Sequence, residues 1–199
     1  MTLPRIPGPK ETLRALRDLH PEIYGAFEHG VFKGRIHFES EGLEWDGSAF
    51  STIVRLHAKS FLAAKNLDTV EIEHVNLSGL SLRLPKYHIK MWKSEGAELP
   101  APGPSEPKQE FYQQSLFPNN EDGLLPLRLA VLWNIDSAKN LSAVWLVCPK
   151  YGDEKCAEAH WCIRIPDPAI SSTRKAPAAG VAELPIQRQP EEKTGTKKA

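Results

Sequence analysis

Two apolar runs decide the fold of this chain: LRLAVLWNI at residues 127–135 and LSAVWLVC at residues 141–148. Each run has the length of a strand and offers few polar positions, so both of its faces need cover. The two runs therefore predict central strands of a sheet. Alternating apolar and polar residues predict further strands at residues 31–39, 69–75, 80–84, 87–92 and 160–165. Together they predict a largely antiparallel sheet of about six or seven strands.

Helices are predicted on the N-terminal side of these strands. Residues 48–65 carry the clearest signal, because apolar residues recur there at helical spacing and Asp46 or Ser48 can cap the first turn. Shorter helices are predicted at residues 10–19 and 22–29, and Gly30 is the predicted stop of the second one. The fold class is therefore α+β, with N-terminal helices packed on the sheet.

The chain is predicted to fold as a single domain at residues 10–168, after a flexible lead-in at residues 1–9. Inside the domain, residues 94–110 hold four prolines among charged residues and predict an exposed loop. Residues 169–199 combine Pro, Ala, Lys and Glu and lack aromatic residues, which predicts a disordered C-terminal tail.

Composition and charge exclude several classes of function. The 199 residues carry 25 Lys and Arg against 25 Asp and Glu, so we do not expect the folded core to bind nucleic acid through phosphate contacts. No apolar run approaches the roughly 20 residues that span a bilayer, and the N-terminus has no apolar signal segment. Three cysteines are too few for a disulfide framework and indicate reduced thiols. We therefore expect a cytoplasmic protein without membrane contact.

The motifs of the common phosphate-binding, zinc-protease and serine-hydrolase sites are absent from the sequence, and no C-x-x-C pair occurs. Thiols and imidazole are nevertheless the ligands that structural zinc prefers. The candidate ligands are Cys148, Cys156, His160 and Cys162. Their wide spacing differs from that of zinc knuckles, and the alternative is that the strand cysteines pack as small apolar residues. We expect no cofactor, with structural zinc as the alternative.

A metal-dependent nuclease is the enzyme hypothesis that the sequence allows. Such a site needs carboxylates, a lysine and a metal ion on neighbouring strands. The candidates are His37, Glu71, Glu73 and Lys90. The alternative is ordinary ion pairing across strands, with Lys33 and Arg35 opposite the two glutamates.

The segment that follows the Pro-rich loop carries a candidate docking peptide. Residues 113–117 read QQSLF and resemble the pentapeptide with which bacterial replication proteins dock on the sliding clamp, although Gln114 stands where Leu is usual. In that interpretation Leu116 and Phe117 fill an apolar pocket, while Gln113 and Ser115 contact its polar rim. The alternative is that Leu116 and Phe117, with Phe111, fasten the loop to the core.

A broader resemblance covers mainly residues 50–166. The segments FYQQSLF at 111–117, LAVLWNID at 129–136, LVCPK at 146–150 and HWCIRIP at 160–166 resemble those of an uncharacterised protein family of high-GC Gram-positive bacteria. The resemblance implies an antitoxin-like or defence-associated role. The leading hypothesis is therefore a bacterial protein-interaction or regulatory protein that binds a protein partner through residues 94–118, and the nuclease is the alternative.

Overall fold

The computed structural model describes residues 6–75, 79–113 and 126–169. The helices are α1 (Pro9–Ala15), α2 (His20–Ser40), α3 (Gly47–Ala64) and α4 (Glu106–Tyr112). The strands are β1 (Glu71–Val75), β2 (Gly79–Leu84), β3 (Tyr87–Lys93), β4 (Leu127–Ile135), β5 (Leu141–Gly152) and β6 (Ala157–Arg164). The predicted lead-in lies outside these residues up to position 5, and the predicted tail lies outside them from position 170 onward.

The six strands form one sheet in the order of the sequence, β1-β2-β3-β4-β5-β6. Every neighbouring pair is antiparallel except β3 and β4, which run parallel. Parallel neighbours need a crossover connection, and α4 lies between β3 and β4 in the chain. The α+β fold with N-terminal helices and a largely antiparallel sheet is confirmed, and the sheet is mixed because of this one parallel pair.

The strand predicted at residues 31–39 is wrong, because this stretch is the second half of α2. Gly30 does not end the helix; it is a packing position against α3. A Cβ added at Gly30 would lie 2.5 Å from the Val54 carbonyl oxygen, and one added at Gly34 would lie 2.9 Å from the Phe50 ring. The apparent alternation arises because two exposed apolar residues, Phe32 and Ile36, fall at alternate positions with the buried residues Gly34 and Phe38.

Helix α3 matches its prediction closely. Asp46 caps it, and its carboxylate accepts hydrogen bonds from the backbone N–H groups of Ser48 at 2.7 Å and Ala49 at 2.9 Å. These two bonds lower the pKa of Asp46, since they favour its charged form. The cap fixes where α3 begins and therefore which of its residues face the sheet.

The sheet has an inner face toward helices α1, α2 and α3, and this face forms the main core. Leu82, Ile89 and Val131 point inward from adjacent strands and are fully buried. Trp133 stacks on Phe27 of α2 with ring centroids 5.4 Å apart and planes inclined by 21°. This apolar contact area holds the helical layer on the sheet.

The outer face of the sheet is covered in its middle by residues 94–113, part of which we predicted as an irregular loop. Helix α4 occupies the end of this segment. Pro107 does not prevent the helix, since it lies in the first turn, where proline is tolerated. The Tyr112 hydroxyl donates to the Pro100 carbonyl at 2.8 Å, and its ring lies where a side chain at Gly152 would stand. The segment is thus fastened over a small apolar cluster, Ala130, Leu132 and Val147.

Across residues 6–75, 79–113 and 126–169, no helix is both long enough and apolar enough to cross a membrane.

Candidate functional site

A polar cluster lies on the outer face, between the free edge of the sheet at β1 and the cover formed by α4. Two rows of paired residues run across strands β1 to β4 there. The first row consists of Glu71, Arg83, His88 and Arg128. The second row consists of Glu73, Ser81, Lys90 and Ala130. Paired residues on neighbouring strands share a face. We call the following set the outer-face polar cluster: Glu73, Ser81, Arg83, His88, Lys90 and Arg128.

Ser81 is the buried centre of this cluster. Its hydroxyl is fully excluded from solvent and donates to Glu73 Oε2 at 3.0 Å. His88 Nε2 lies 2.9 Å from the same hydroxyl oxygen and 3.5 Å from Glu73 Oε2. In a nucleophilic triad the carboxylate binds the ring nitrogen that faces away from the hydroxyl, so that the ring can take the hydroxyl proton. Here carboxylate and hydroxyl share one ring nitrogen, and the serine is a structural bridge.

The charge state of His88 follows from its surroundings. Burial lowers the pKa of His88, Glu73 opposes this shift, and the cations of Lys90, Arg83 and Arg128 add to it. The ring is therefore uncharged at neutral pH. An uncharged ring with its proton on Nε2 donates to the Ser81 hydroxyl, which in turn donates to Glu73, so each group has a partner.

Lys90 is the half-buried cation of the cluster. Its ammonium nitrogen lies 4.6 Å from the centre of the Phe111 ring, which contributes a cation–π contact from α4. Burial lowers the pKa of Lys90; Glu73 opposes the shift, and the nearby cations Arg128, Arg83 and Lys108 add to it. Among the residues that the structure describes, Lys90 forms no salt bridge.

The two arginines of the cluster are held by different partners. Arg83 forms a salt bridge with Glu73 Oε1, so this carboxylate is shared between Arg83 and the Ser81–His88 pair. Arg128 donates from Nη1 to the Glu110 carbonyl and, at 2.9 Å, to the Gln113 carbonyl. Arg128 therefore ties the end of α4 to β4.

The predicted nuclease set does not come together. His37 is exposed on α2, in the helical layer on the other side of the sheet, because the strand predicted around it is a helix. Glu71 is exposed at the beginning of β1 and pairs across the sheet with Arg83. Of the four candidates only Glu73 and Lys90 belong to one cluster.

The alternative of ion pairs between Lys33, Arg35 and the two glutamates is also wrong, for the same reason. Arg35 lies on α2, where it donates to the Asn140 side chain and approaches Glu39 at 3.6 Å. The glutamate that does pair across strands is Glu73, and its partner is Arg83.

The four predicted zinc ligands do not converge. Cys148 is fully buried in the inner core, whereas Cys162 pairs with Val147 of the outer face and is exposed. Cys156 is exposed in the turn beside Asp153, and His160 is exposed on β6. Consecutive strand positions face opposite ways, so the predicted set is divided between the two sides of the sheet. Within the described ranges no group of three or more His, Cys, Asp or Glu side chains could hold a metal ion.

The predicted docking peptide is described only at its first residue. Gln113 is exposed and follows the last turn of α4, where its N–H donates to the Gln109 carbonyl at 3.1 Å. Ser115, Leu116 and Phe117 lie outside the described residues. Phe111 is buried against His88 and Trp92, so its proposed part in fastening the segment to the core is confirmed.

Sequence reasoning missed Ser81, His88 and Arg128 as members of one site. The sequence does contain a signal for Ser81, because it stands between Leu80 and Leu82 in a strand. In such an alternation the serine side chain lies on the face opposite to that of the two leucines. The meeting of His88 with Arg128 depends on the parallel register of β3 and β4, which no local pattern encodes.

No family model, curated protein or solved structure matches this chain.

Proposed function

We propose that this protein is a protein-interaction or regulatory protein of the bacterial cytoplasm that binds a protein partner on the outer face of its sheet, along residues 94–113. The observation that carries the proposal is the way this connection is held. It is long and Pro-rich, yet it is fastened to the sheet by Tyr112 against Gly152, by Phe111 against Trp92 and by the hydrogen bond from Arg128 to the Gln113 carbonyl. The antitoxin-like or defence-associated role stays a prediction from the resemblance of segments.

A long connection that is held in place is suited to binding. Connections of this length are uncommon in compact domains unless they are functional or disordered. Besides its anchors, the segment bonds to itself, since the Gln109 side chain donates to the Gly103 carbonyl at 2.8 Å. Such a surface loses little conformational entropy when a partner docks, and this favours affinity.

The surface that the segment offers is polar and exposed. Pro104, Ser105, Glu106 and Glu110 are exposed on and before α4, while Phe111 and Tyr112 are turned inward. A polar rim beside a fixed backbone is typical of surfaces that bind other proteins reversibly. The cytoplasmic location is supported by the free thiols of Cys148, Cys156 and Cys162.

Reversal of one exposed charge on α4 tests this proposal. Glu110→Arg changes an exposed side chain. The bond from Arg128 goes to the backbone carbonyl of Glu110 and not to its carboxylate, so the substitution leaves that acceptor in place. We expect the recovery of partners that the wild-type chain captures from a bacterial lysate to change by about tenfold, because the reversed charge lies on the proposed binding surface. The matched control is Glu41→Arg, exposed at the end of α2 on the other side of the sheet. Equal recovery with both variants would overturn the proposal.

A further inference from the structure

We infer that the outer-face polar cluster is a binding site for a carboxylate group of an acidic peptide segment, with Lys90 as the residue that contacts the carboxylate. This inference deepens the proposed function, because it names the chemistry of the partner. It rests on two observations. Lys90 lies between the β-sheet and α4, and the other charged residues of the cluster already have partners within the chain.

The single carboxylate at the centre of the cluster is fully engaged. Glu73 accepts from the Ser81 hydroxyl with Oε2 and pairs with Arg83 through Oε1. It is half-buried, with 23% of its side chain exposed, so its geometry is fixed by these partners. Glu73 is the acid that acts on Lys90, but it is shared with Arg83, so the cluster holds one carboxylate against the three cations Arg83, Lys90 and Arg128.

Lys90 is left as a cation in a partly desolvated position. Phe111 covers one side of the ammonium group, and His88 stands beside that ring with centroids 5.2 Å apart. Arg128 and Lys108 add positive charge nearby. An ion pair formed in such a place is screened less than one on the open surface, so an incoming carboxylate gains more from it there.

Within the part of the chain that the structure describes, the two strand neighbours of Lys90 supply no acid to its ammonium group. Lys90 pairs with Ser81 on one side and with Ala130 on the other, and neither of these residues carries a carboxylate. The adjacent segment 94–113 supplies a fixed wall with its own backbone and aromatic groups. A peptide carboxylate that reaches past this wall meets the Lys90 ammonium group beside Phe111, with further positive charge from Arg83 and Arg128 nearby, and a carboxylate forms strong hydrogen bonds with such a charged donor.

The direct test is titration of the full chain with a fluorescently labelled hexaglutamate peptide, followed by fluorescence anisotropy, with hexaglutamine as the neutral probe. Lys90→Met keeps the apolar stem beside Phe111 and removes the charge. We expect hexaglutamate to bind about tenfold more weakly to Lys90→Met than to the wild type. The matched control Lys33→Met removes an exposed lysine of α2 and should leave binding unchanged.

A second variant separates recognition from structural support. Glu73→Gln keeps an acceptor for Ser81 but removes the negative charge and releases Arg83 from its salt bridge. If the cluster recognises carboxylates, hexaglutamate binds several-fold more tightly to this variant; if Glu73 only supports the fold, binding falls or stays the same.

Equal binding to Lys90→Met and Lys33→Met, or equal binding of hexaglutamine, would overturn the inference. These results are independent of lysate capture. Changed capture with Glu110→Arg, together with unchanged hexaglutamate binding in Lys90→Met, would leave the proposed function standing and reject the carboxylate site alone.

Discussion

The two faces of the sheet differ in how neighbouring positions of the same strands are used. On the inner face, Leu82 and Ile89 are fully buried in an apolar core beneath three helices. On the outer face, the next positions, Ser81 and His88, join a network of hydrogen bonds and charges that α4 only partly covers. The comparison teaches that strands β2 and β3 combine two tasks: one face stabilises the fold, and the other holds polar groups in fixed positions.

The largest expected effect comes from adjacent substitutions on β2. Leu82→Ala removes fully buried apolar atoms from the inner face and should lower the free energy of unfolding by about 3 kcal/mol. Ser81→Ala, one residue away on the outer face, should lower it by about 1 kcal/mol, since Glu73 and His88 lose one hydrogen-bonding partner. Urea denaturation of both variants measures the difference. Equal losses would show that the two faces contribute alike to stability.

A somewhat smaller effect is expected at the contact between α2 and α3. Gly30→Ala places a methyl group 2.5 Å from the backbone carbonyl of Val54 and should cost about 2 kcal/mol of stability. Gly25→Ala is the matched control on the same helix, because its methyl group would lie 3.5 Å from the Phe61 ring. That variant should stabilise the protein by up to about 1 kcal/mol, because alanine favours helix. Thermal unfolding of the two variants should therefore shift in opposite directions.

The smallest effect concerns pH and His88. Its folded-state pKa lies below the usual value of 6.5, so below that pH the unfolded chain binds a proton that the folded chain does not. The stability contributed by the neutral ring is present above pH 6.5 and is lost as the pH falls. His88→Gln should therefore make the loss of stability between pH 7 and pH 5 smaller than in the wild type, by at most about 1.4 kcal/mol per pH unit.

The measurement for His88 is urea denaturation at several pH values. His37→Gln is the control, since His37 is exposed on α2 and away from the cluster. Identical pH profiles for the wild type and His88→Gln would contradict the assignment of a neutral, buried ring to His88.

The sequence predicted those parts of the fold whose signals are local. Helix α3 begins at a capping aspartate, and the central strands β4 and β5 are too apolar to lie anywhere but inside the sheet. The sequence predicts a strand in the second half of α2 because Gly30 resembles a helix stop, whereas the helix continues to Ser40. What makes this glycine helical is its contact with Val54 of another element, and such a contact is invisible in a local pattern.

The candidate site was predicted only in part, for the same reason. Glu73 and Lys90 were singled out by residue type, but their real neighbours Ser81 and His88 are set by strand register. Arg128 is placed beside His88 by the parallel pairing of β3 with β4, which no local sequence pattern encodes. The type of a residue thus indicates which chemistry its side chain offers. Which residues form one cluster depends on strand register, and that is given only by the tertiary structure.

The hydrogen bond between the Trp161 indole N–H and the Pro7 carbonyl, 2.9 Å long, has a consequence for the ends of the described chain. Near the other end of the described chain, Asp167 accepts a hydrogen bond from the Tyr24 hydroxyl of α2 at 3.3 Å. The first and last described segments therefore leave the domain beside β6, the strand farthest from β1 and the edge where the polar cluster begins. A reporter fused directly before residue 6 or directly after residue 169 would therefore begin beside β6, at the opposite edge of the sheet from β1.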